Sequence, residues 1–215
     1  MTGRILPWRA APTAAPAVQH GPVQTDSRLG YALRYAALGW HVMPLWWATK
    51  DGCACGDAAC KNPGKHPISY LVPRGQDNAT TDEARLRYWF ESEPDANIGI
   101  FLRPSGLMAI DIDPRNGGVE TIEAIEARNG RLESDVLAIT GGGGEHRVFL
   151  APANGTLPGK LGDGVDVKLN GYIVVEPSNH ASGQRYQWEG SSDPLEGAVP
   201  SPLPDWLRGG HFRAR

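Results

Sequence analysis

Apolar positions along the chain fall into alternating helical and strand periods. Leu29, Ala32, Leu33, Ala36 and Ala37 recur at helical spacing behind Asp26 or Ser27, either of which can cap, and Gly39 is placed to end the helix. Residues 40–45 then read as a strand. Thr80 with Glu83 three residues on has the form of a capping box, and Leu86, Trp89 and Phe90 follow on one side of a helix. Residues 97–102 form a short apolar strand, and Arg103-Pro104-Ser105-Gly106 predicts a turn pairing it with the next strand as a hairpin. Val119, Ile122 and Ile125 return to helical spacing until about Arg128, with Gly130 closing. Residues 135–140 and 146–150 are strands. Residues 164–169 alternate, and Asn170-Gly171 predicts a hairpin whose return strand is 172–176. Trp206 and Leu207 fit a short final helical turn. The fold class this implies is α/β (α+β), opening with an N-terminal αβ unit.

One strand ends unusually. Leu107-Met108-Ala109-Ile110 runs into Asp111-Ile112-Asp113, and Pro114, Asn116, Gly117 and Gly118 then stop it. Strand side chains alternate, so Asp111 and Asp113 share a face with Cα atoms roughly 6.5–7 Å apart. That spacing lets both carboxylates converge on hard divalent cations. Ile110 and Ile112 go to the core.

Composition narrows the class. A chain of 215 residues with 40% hydrophobic residues and a net charge of −3 is one globular domain with tails. There is no basic excess, so a nucleic-acid surface would have to be local. No apolar run is long enough for a membrane span and no signal-peptide pattern is present, so a cytoplasmic protein without membrane partners is expected. The Ala/Pro-rich residues 1–25 read as a flexible tail, 26–208 as the folded domain and 209–215 as a second tail.

All three cysteines fall in one window. Cys53, Cys55 and Cys60, with His66 shortly after, supply four ligands for a tetrahedral structural zinc within a stem spanning about 51–67. Gly64, Lys65 and His66 are alternatively placed to bind phosphate. Four glycines, Gly141 to Gly144, permit close approach of a ligand and lead to His146, at the end of its strand where a site would lie. Asp166 is a third strand carboxylate, with Lys168 on its own face. The polar loop after residue 176 carries Ser178, His180 and Arg185 as phosphate donors.

Taken in order, these residues resemble the archaeo-eukaryotic primase superfamily, and within it the bifunctional DNA primase/polymerase (prim-pol) domains of plasmids, phages and mobile elements. The resemblance runs from about Leu29 to Trp188. Asp111 and Asp113 match the Asp-x-Asp motif, Gly144-Glu145-His146 the small-x-His motif, and Val165-Asp166 the hydrophobic-Asp motif. Cys53, Cys55, Cys60 and His66 resemble the family's zinc stem, which implies a protruding element near the template whose Lys61 and Lys65 could meet backbone phosphate. Gly144 stands where many members have Ser, and Lys168 where Arg is common.

The resemblance implies a primase catalytic core with a mixed or antiparallel RRM-like sheet flanked by helices. It implies template-directed nucleotidyl transfer, in which Asp111, Asp113 and Asp166 hold two Mg2+ or Mn2+ ions. His146 would contact the incoming dNTP or NTP, with Lys168, Ser178, His180 and Arg185 adding to phosphate binding. Single-stranded DNA template is the implied partner. The chain carries no helicase motif, so unwinding is left to a helicase region or a separate helicase. Two other readings stay open on the residues alone. The same acids could activate water in a metal-dependent nuclease or phosphodiesterase, or the domain could be a non-catalytic, zinc-stabilised nucleic-acid-binding module.

Overall fold

The computed structural model describes residues 23–153 and 157–208. Most of the expected N-terminal tail and all of the C-terminal tail lie outside the described residues. Helix α1 (Arg28–Ala37) starts at Ser27, whose hydroxyl accepts from the Gly30 N–H, and it leads into strand β1 (His41–Leu45). A short hairpin of β2 (Ala48–Thr49) and β3 (Gly52–Cys53) opens the cysteine loop. Helix α2 (Glu83–Ser92) precedes β4 (Asn97–Phe101) and β5 (Leu107–Ile112). Helix α3 (Gly118–Asn129) is followed by β6 (Val136–Ile139), β7 (Glu145–Leu150), β8 (Lys160–Gly162) and β9 (Val165–Lys168). Strands β10 (Tyr172–Val175) and β11 (Gln187–Trp188) and the short helix α4 (Asp205–Arg208) complete the chain. No helix among the described residues is long and apolar enough to cross a membrane.

The strands form two main sheets. A three-stranded sheet runs β1-β4-β10, and a six-stranded sheet runs β11-β6-β7-β5-β9-β8. Pairings between these strands are antiparallel, so the architecture is mixed α/β with antiparallel sheets. Strand β5 lies inside the large sheet, and its alternation feeds two cores. Leu107 and Ala109 enter a core shared with α1, α2 and the small sheet, whereas Met108, Ile110 and Ile112 pack with Ile122 and Ile125 of α3 and with Leu203 and Leu207. Burying each of these large aliphatic side chains stabilises the fold by roughly 1.5–3 kcal/mol. That anchorage holds the acidic end of β5 in place. Asp111 is the next position on the Leu107 and Ala109 face, where the apolar core gives way to a cleft.

Three expectations about local structure need correction. Helix α2 is capped by Asp82, which accepts from the Arg85 N–H; Thr80 accepts from the Asp82 N–H and sits two residues too early to be the cap. Strands β4 and β5 do not pair as a hairpin. Residues Arg103–Ser105 form a 3-10 turn that carries the chain from the small sheet to the large one. Nor do β9 and β10 form a hairpin around Asn170-Gly171. A type I′ turn needs positive φ at both central residues, and neither Asn170 nor Gly171 has it. The Gly171 carbonyl instead accepts from the Leu102 N–H, and apolar β10 joins β4.

Candidate active site

The register of the large sheet assembles the site. Asp111 of β5 sits directly opposite His146 of β7 on one side and directly opposite Asp166 of β9 on the other. Directly paired residues carry side chains on one face of a sheet, with Cβ atoms about 4.5–5.5 Å apart. Residues 146, 111 and 166 therefore form a row across three strands although they lie far apart in sequence. Asp113 follows just beyond the strand end. Its N–H donates to the Gly164 carbonyl at 2.8 Å, which ties it to the turn before β9.

That junction needs glycine. Gly164 has φ +67°, and a Cβ there would come within 2.4 Å of the Gly118 nitrogen; one at Gly118 would come within 2.6 Å of the Gly164 carbonyl oxygen. Close backbone approach at these two positions brings Asp113 and Asp166 to one cleft. The cleft, of about 410 Å³, is lined by Asp111, Asp113, Asn116, Lys160, Asp163, Gly164 and Asp166.

Each acid of the row has a basic partner. Lys168 Nζ lies 3.0 Å from Asp111 Oδ2, and Lys160 Nζ lies 3.6 Å from Asp166 Oδ1. Arg115 donates to both oxygens of Asp113, and Asn116 adds a hydrogen bond at 2.9 Å. The Arg115 bonds hold the Asp113 carboxyl below its ordinary range, against the opposing effect of partial burial. His146 Nε2 is 3.6 Å from Asp111 Oδ1. Burial brings the His146 imidazole down to about 4; Asp111 opposes the shift, while Lys168 and Lys65 add to it. At neutral pH His146 is therefore uncharged, and its contact with Asp111 is dipolar. Its buried Nδ1 has no hydrogen-bond partner among the described residues.

A second cleft, of about 350 Å³, adjoins the row between the two sheets and includes Asn62, Lys65, His66, Asp111, His146, Lys168, Tyr172 and Tyr186. A smaller recess of about 70 Å³ joins Asp111 and Asp113 to Lys65, Arg115, Gly142, Gly144, His146, His180 and Tyr186. Lys65 lines both. Burial lowers its ammonium pKa, as do Arg115 and Lys168, while Asp111 and Asp113 raise it. The loop bearing Lys65 was expected to meet template as a protruding stem, yet it packs into the domain. Gly64 is buried, its carbonyl accepts from Asn97 Nδ2 at 2.8 Å, and the Lys65 carbonyl accepts from the Tyr172 hydroxyl at 2.7 Å. Lys61 is the exposed member of the pair.

Cys53, Cys55, Cys60 and His66 come together beside this cleft, with their ligand atoms all within 4.8 Å of one another. His66 Nε2 lies 3.4 Å from Cys53 Sγ and 3.5 Å from Cys60 Sγ. Ligands of a tetrahedral zinc, bound at about 2.0–2.3 Å, stand roughly 3.5–3.8 Å apart, so this donor set fits zinc. Burial opposes ionisation of the Cys53 thiol, but backbone N–H groups of Cys55 and Gly64 and contacts with Cys55 and His66 bring it down to about 7, while burial and the neighbouring Cys53 and Cys55 sulfurs push the Cys60 thiol up. A thiol ready to ionise near neutral pH is a ready metal ligand.

The loop after β10 divides the expected phosphate donors. His180 borders the small recess. Its Nδ1 lies 3.1 Å from the Ser182 nitrogen and 3.0 Å from the Ser182 hydroxyl, and its Nε2 faces Gly142. Tyr186 lies between the two histidines, with ring centroids 6.2 Å from His146 and 5.7 Å from His180. Ser178 was expected to donate to phosphate, but it is fully buried and its hydroxyl accepts from the Ile98 N–H at 2.8 Å. It fastens the loop to β4. Arg185 is exposed and acts electrostatically on Arg28; it is absent from the two clefts that contain both Asp111 and His146. Sequence reasoning did not single out Arg115, Lys160 or Tyr186. Arg115 and Lys160 could have been sought as cations within reach of the acids, whereas Tyr186 had no local signal.

A sequence model described as bifunctional DNA primase/polymerase, N-terminal, matches residues 32–206. No curated protein matches the chain.

Proposed function

Because the chain belongs to the bifunctional DNA primase/polymerase N-terminal family, we propose that it is a template-directed nucleotidyltransferase whose reaction centre is the row of Asp111, Asp166 and His146 with Asp113 beside it. The observation that carries this reading is the register that sets Asp111 opposite both His146 and Asp166. We read the two-sheet arrangement as an archaeo-eukaryotic primase core, acting in replication of a plasmid, phage or other mobile element.

The donor set of the acidic cleft suits hard divalent ions, because Asp111, Asp113 and Asp166 offer only carboxylate oxygens. Two Mg2+ or Mn2+ ions bound there would favour ionisation of an attacking 3′-hydroxyl and neutralise the departing pyrophosphate. The chain's own residues supply the rest. Lys168 and Arg115, now on Asp111 and Asp113, are within reach of a triphosphate entering from the adjoining cleft. His146, kept neutral by burial, can donate to or accept from a phosphate oxygen without adding charge. His180 presents its Nε2 at the wall of the recess formed by Gly142 and Gly144. Dinucleotide and longer products would then be built on single-stranded DNA from dNTPs or NTPs.

The test is incorporation of labelled nucleotide on single-stranded template, with and without primer, in Mg2+ and in Mn2+. The wild-type chain should extend primer, and Asp111→Ala and Asp166→Ala should not. Degradation of labelled DNA in Mn2+ without any incorporation would replace this reading with the nuclease one, and metal-independent DNA binding alone would replace it with a binding module.

A further inference from the structure

We propose that Lys65 is a triphosphate-binding residue, and that the cysteine-histidine loop exists to seat it in the nucleotide cleft and not to grip template; this rests on the polymerase reading of the same site. The backbone around Lys65 is fixed on three sides. At position 64 the carbonyl is held by Asn97, at position 65 by Tyr172, and at position 66 the imidazole stands within 3.5 Å of two thiol sulfurs. The Trp46 N–H also donates to the His66 carbonyl at 2.9 Å.

With its backbone held in this way, the side chain of Lys65 lines both clefts that contain Asp111 and His146. Arg115 and His180 share the smaller cleft with it, so basic groups and the acids Asp111 and Asp113 line one recess. Convergent cations next to a carboxylate cage are what a metal-bound triphosphate requires, with the ions on one side of the phosphates and the basic groups on the other. Template phosphates carry one charge each and run past a polymerase site. An extended strand would have no reason to enter a recess of about 70 Å³ walled by Gly142, Gly144 and Tyr186.

The link to the metal loop follows from adjacency. His66 is a ligand of the thiol set, and Lys65 precedes it directly, so closing the loop on zinc restricts the backbone from which Lys65 projects. Without that closure Lys65 keeps its charge but loses its direction.

Binding of a fluorescent deoxynucleoside triphosphate to the full chain, in Ca2+ and without DNA, tests the proposal, alongside anisotropy of a labelled single-stranded oligonucleotide. Lys65→Ala should weaken nucleotide binding about tenfold, the order of one charge-assisted hydrogen bond. Competition by inorganic tripolyphosphate should weaken in parallel, and zinc content and oligonucleotide affinity should stay near wild type. Lys65→Arg should recover most of the loss. Cys60→Ser, which removes one of the four candidate zinc ligands and should lower zinc content, should weaken nucleotide binding to a similar degree, and the double variant should be no worse than either single one. If Cys60→Ser does not fold, Tyr172→Phe, which frees the Lys65 carbonyl, should give a smaller loss of the same kind. Unchanged nucleotide affinity in Lys65→Ala, or lost oligonucleotide affinity with nucleotide binding intact, overturns the proposal; additive losses in the double variant overturn the link to zinc. Incorporation by the wild-type chain is scored separately, so absence of polymerase activity with Lys65-dependent nucleotide binding would sink the polymerase reading alone.

Discussion

Asn97 is the side chain through which the fold holds both loops of the site. It opens β4 and is fully buried, and its amide makes three hydrogen bonds of 2.8 Å: Nδ2 donates to the Gly64 and Asn179 carbonyls, and Oδ1 accepts from the Asn179 N–H. One residue thus ties the loop bearing Lys65 and the loop bearing His180 to the small sheet. Asn97→Ala would leave three backbone groups without their partner. A buried polar group left unpaired costs about 1–3 kcal/mol, and allowing for water reaching part of the gap, the loss should be about 3–5 kcal/mol. For a domain of this size that corresponds to a fall in Tm of roughly 6–20 °C. Asn97→Asp tests the same geometry by charge, since it would aim a carboxylate oxygen at two carbonyls where an amide now donates; it should cost at least as much. Chemical denaturation gives the stability, chelator-competition kinetics give zinc release, and nucleotide titration gives KM. The account expects a large stability loss, faster zinc release and a raised KM together. A loss below about 1 kcal/mol in Asn97→Ala, with zinc release unchanged, would refute the claim that this amide secures the two loops.

Further expectations concern the acids, the loop serine, the tight turn and acid sensitivity. Asp111→Asn should abolish incorporation while shifting stability by no more than about 1 kcal/mol, because its partner Lys168 is partly exposed; a protein that still extends primer contradicts the assignment. Ser178→Ala should destabilise by about 1–3 kcal/mol, by leaving the Ile98 N–H unpaired, and should leave KM for nucleotide within about twofold. The reverse pattern would restore Ser178 as a phosphate donor. Gly164→Ala should reduce both stability and incorporation, since its Cβ would strike the Gly118 nitrogen in a left-handed turn; circular dichroism melting and primer extension measure the two losses. Glu126, paired with Arg147 at 2.7 Å, resists ionisation through burial, but the Leu132 N–H and Arg147 outweigh this and depress its pKa. Its contribution is therefore present above about pH 4.5 and is lost as pH falls through the lower folded value. Glu126→Gln should flatten the stability profile in that window, and an unchanged slope would count against the pairing.

Much of the candidate site was visible before the fold because the physics that marks it is local. A strand ending in Asp-x-Asp must place both acids on one side, and Asp166 and His146 could be assigned to strands from alternation and glycine punctuation alone. Four candidate metal ligands in the segment from Cys53 to His66 needed only counting. What was not legible depends on long-range pairing. The Asn170-Gly171 pair carries hairpin chemistry, yet the burial of Ile173, Val174 and Val175 against β4 overrides the local turn. Arg103 to Gly106 likewise reads as a hairpin turn but serves as a crossing between sheets. Ser178 and Lys65 show the same limit for side chains. A hydroxyl and an ammonium in polar loops look alike as phosphate donors, and only the packing of Ile98, Asn97 and Tyr172 around them turns one inward to the backbone and the other into the cleft.

Anomalous scattering from crystals grown with Mn2+ and a non-hydrolysable nucleoside triphosphate tests the central claim most directly. The account predicts two manganese peaks about 3.5–4 Å apart, shared among Asp111, Asp113 and Asp166, with the triphosphate against Lys65 and His146. Manganese that fails to bridge the carboxylates of Asp111 and Asp166 would contradict it.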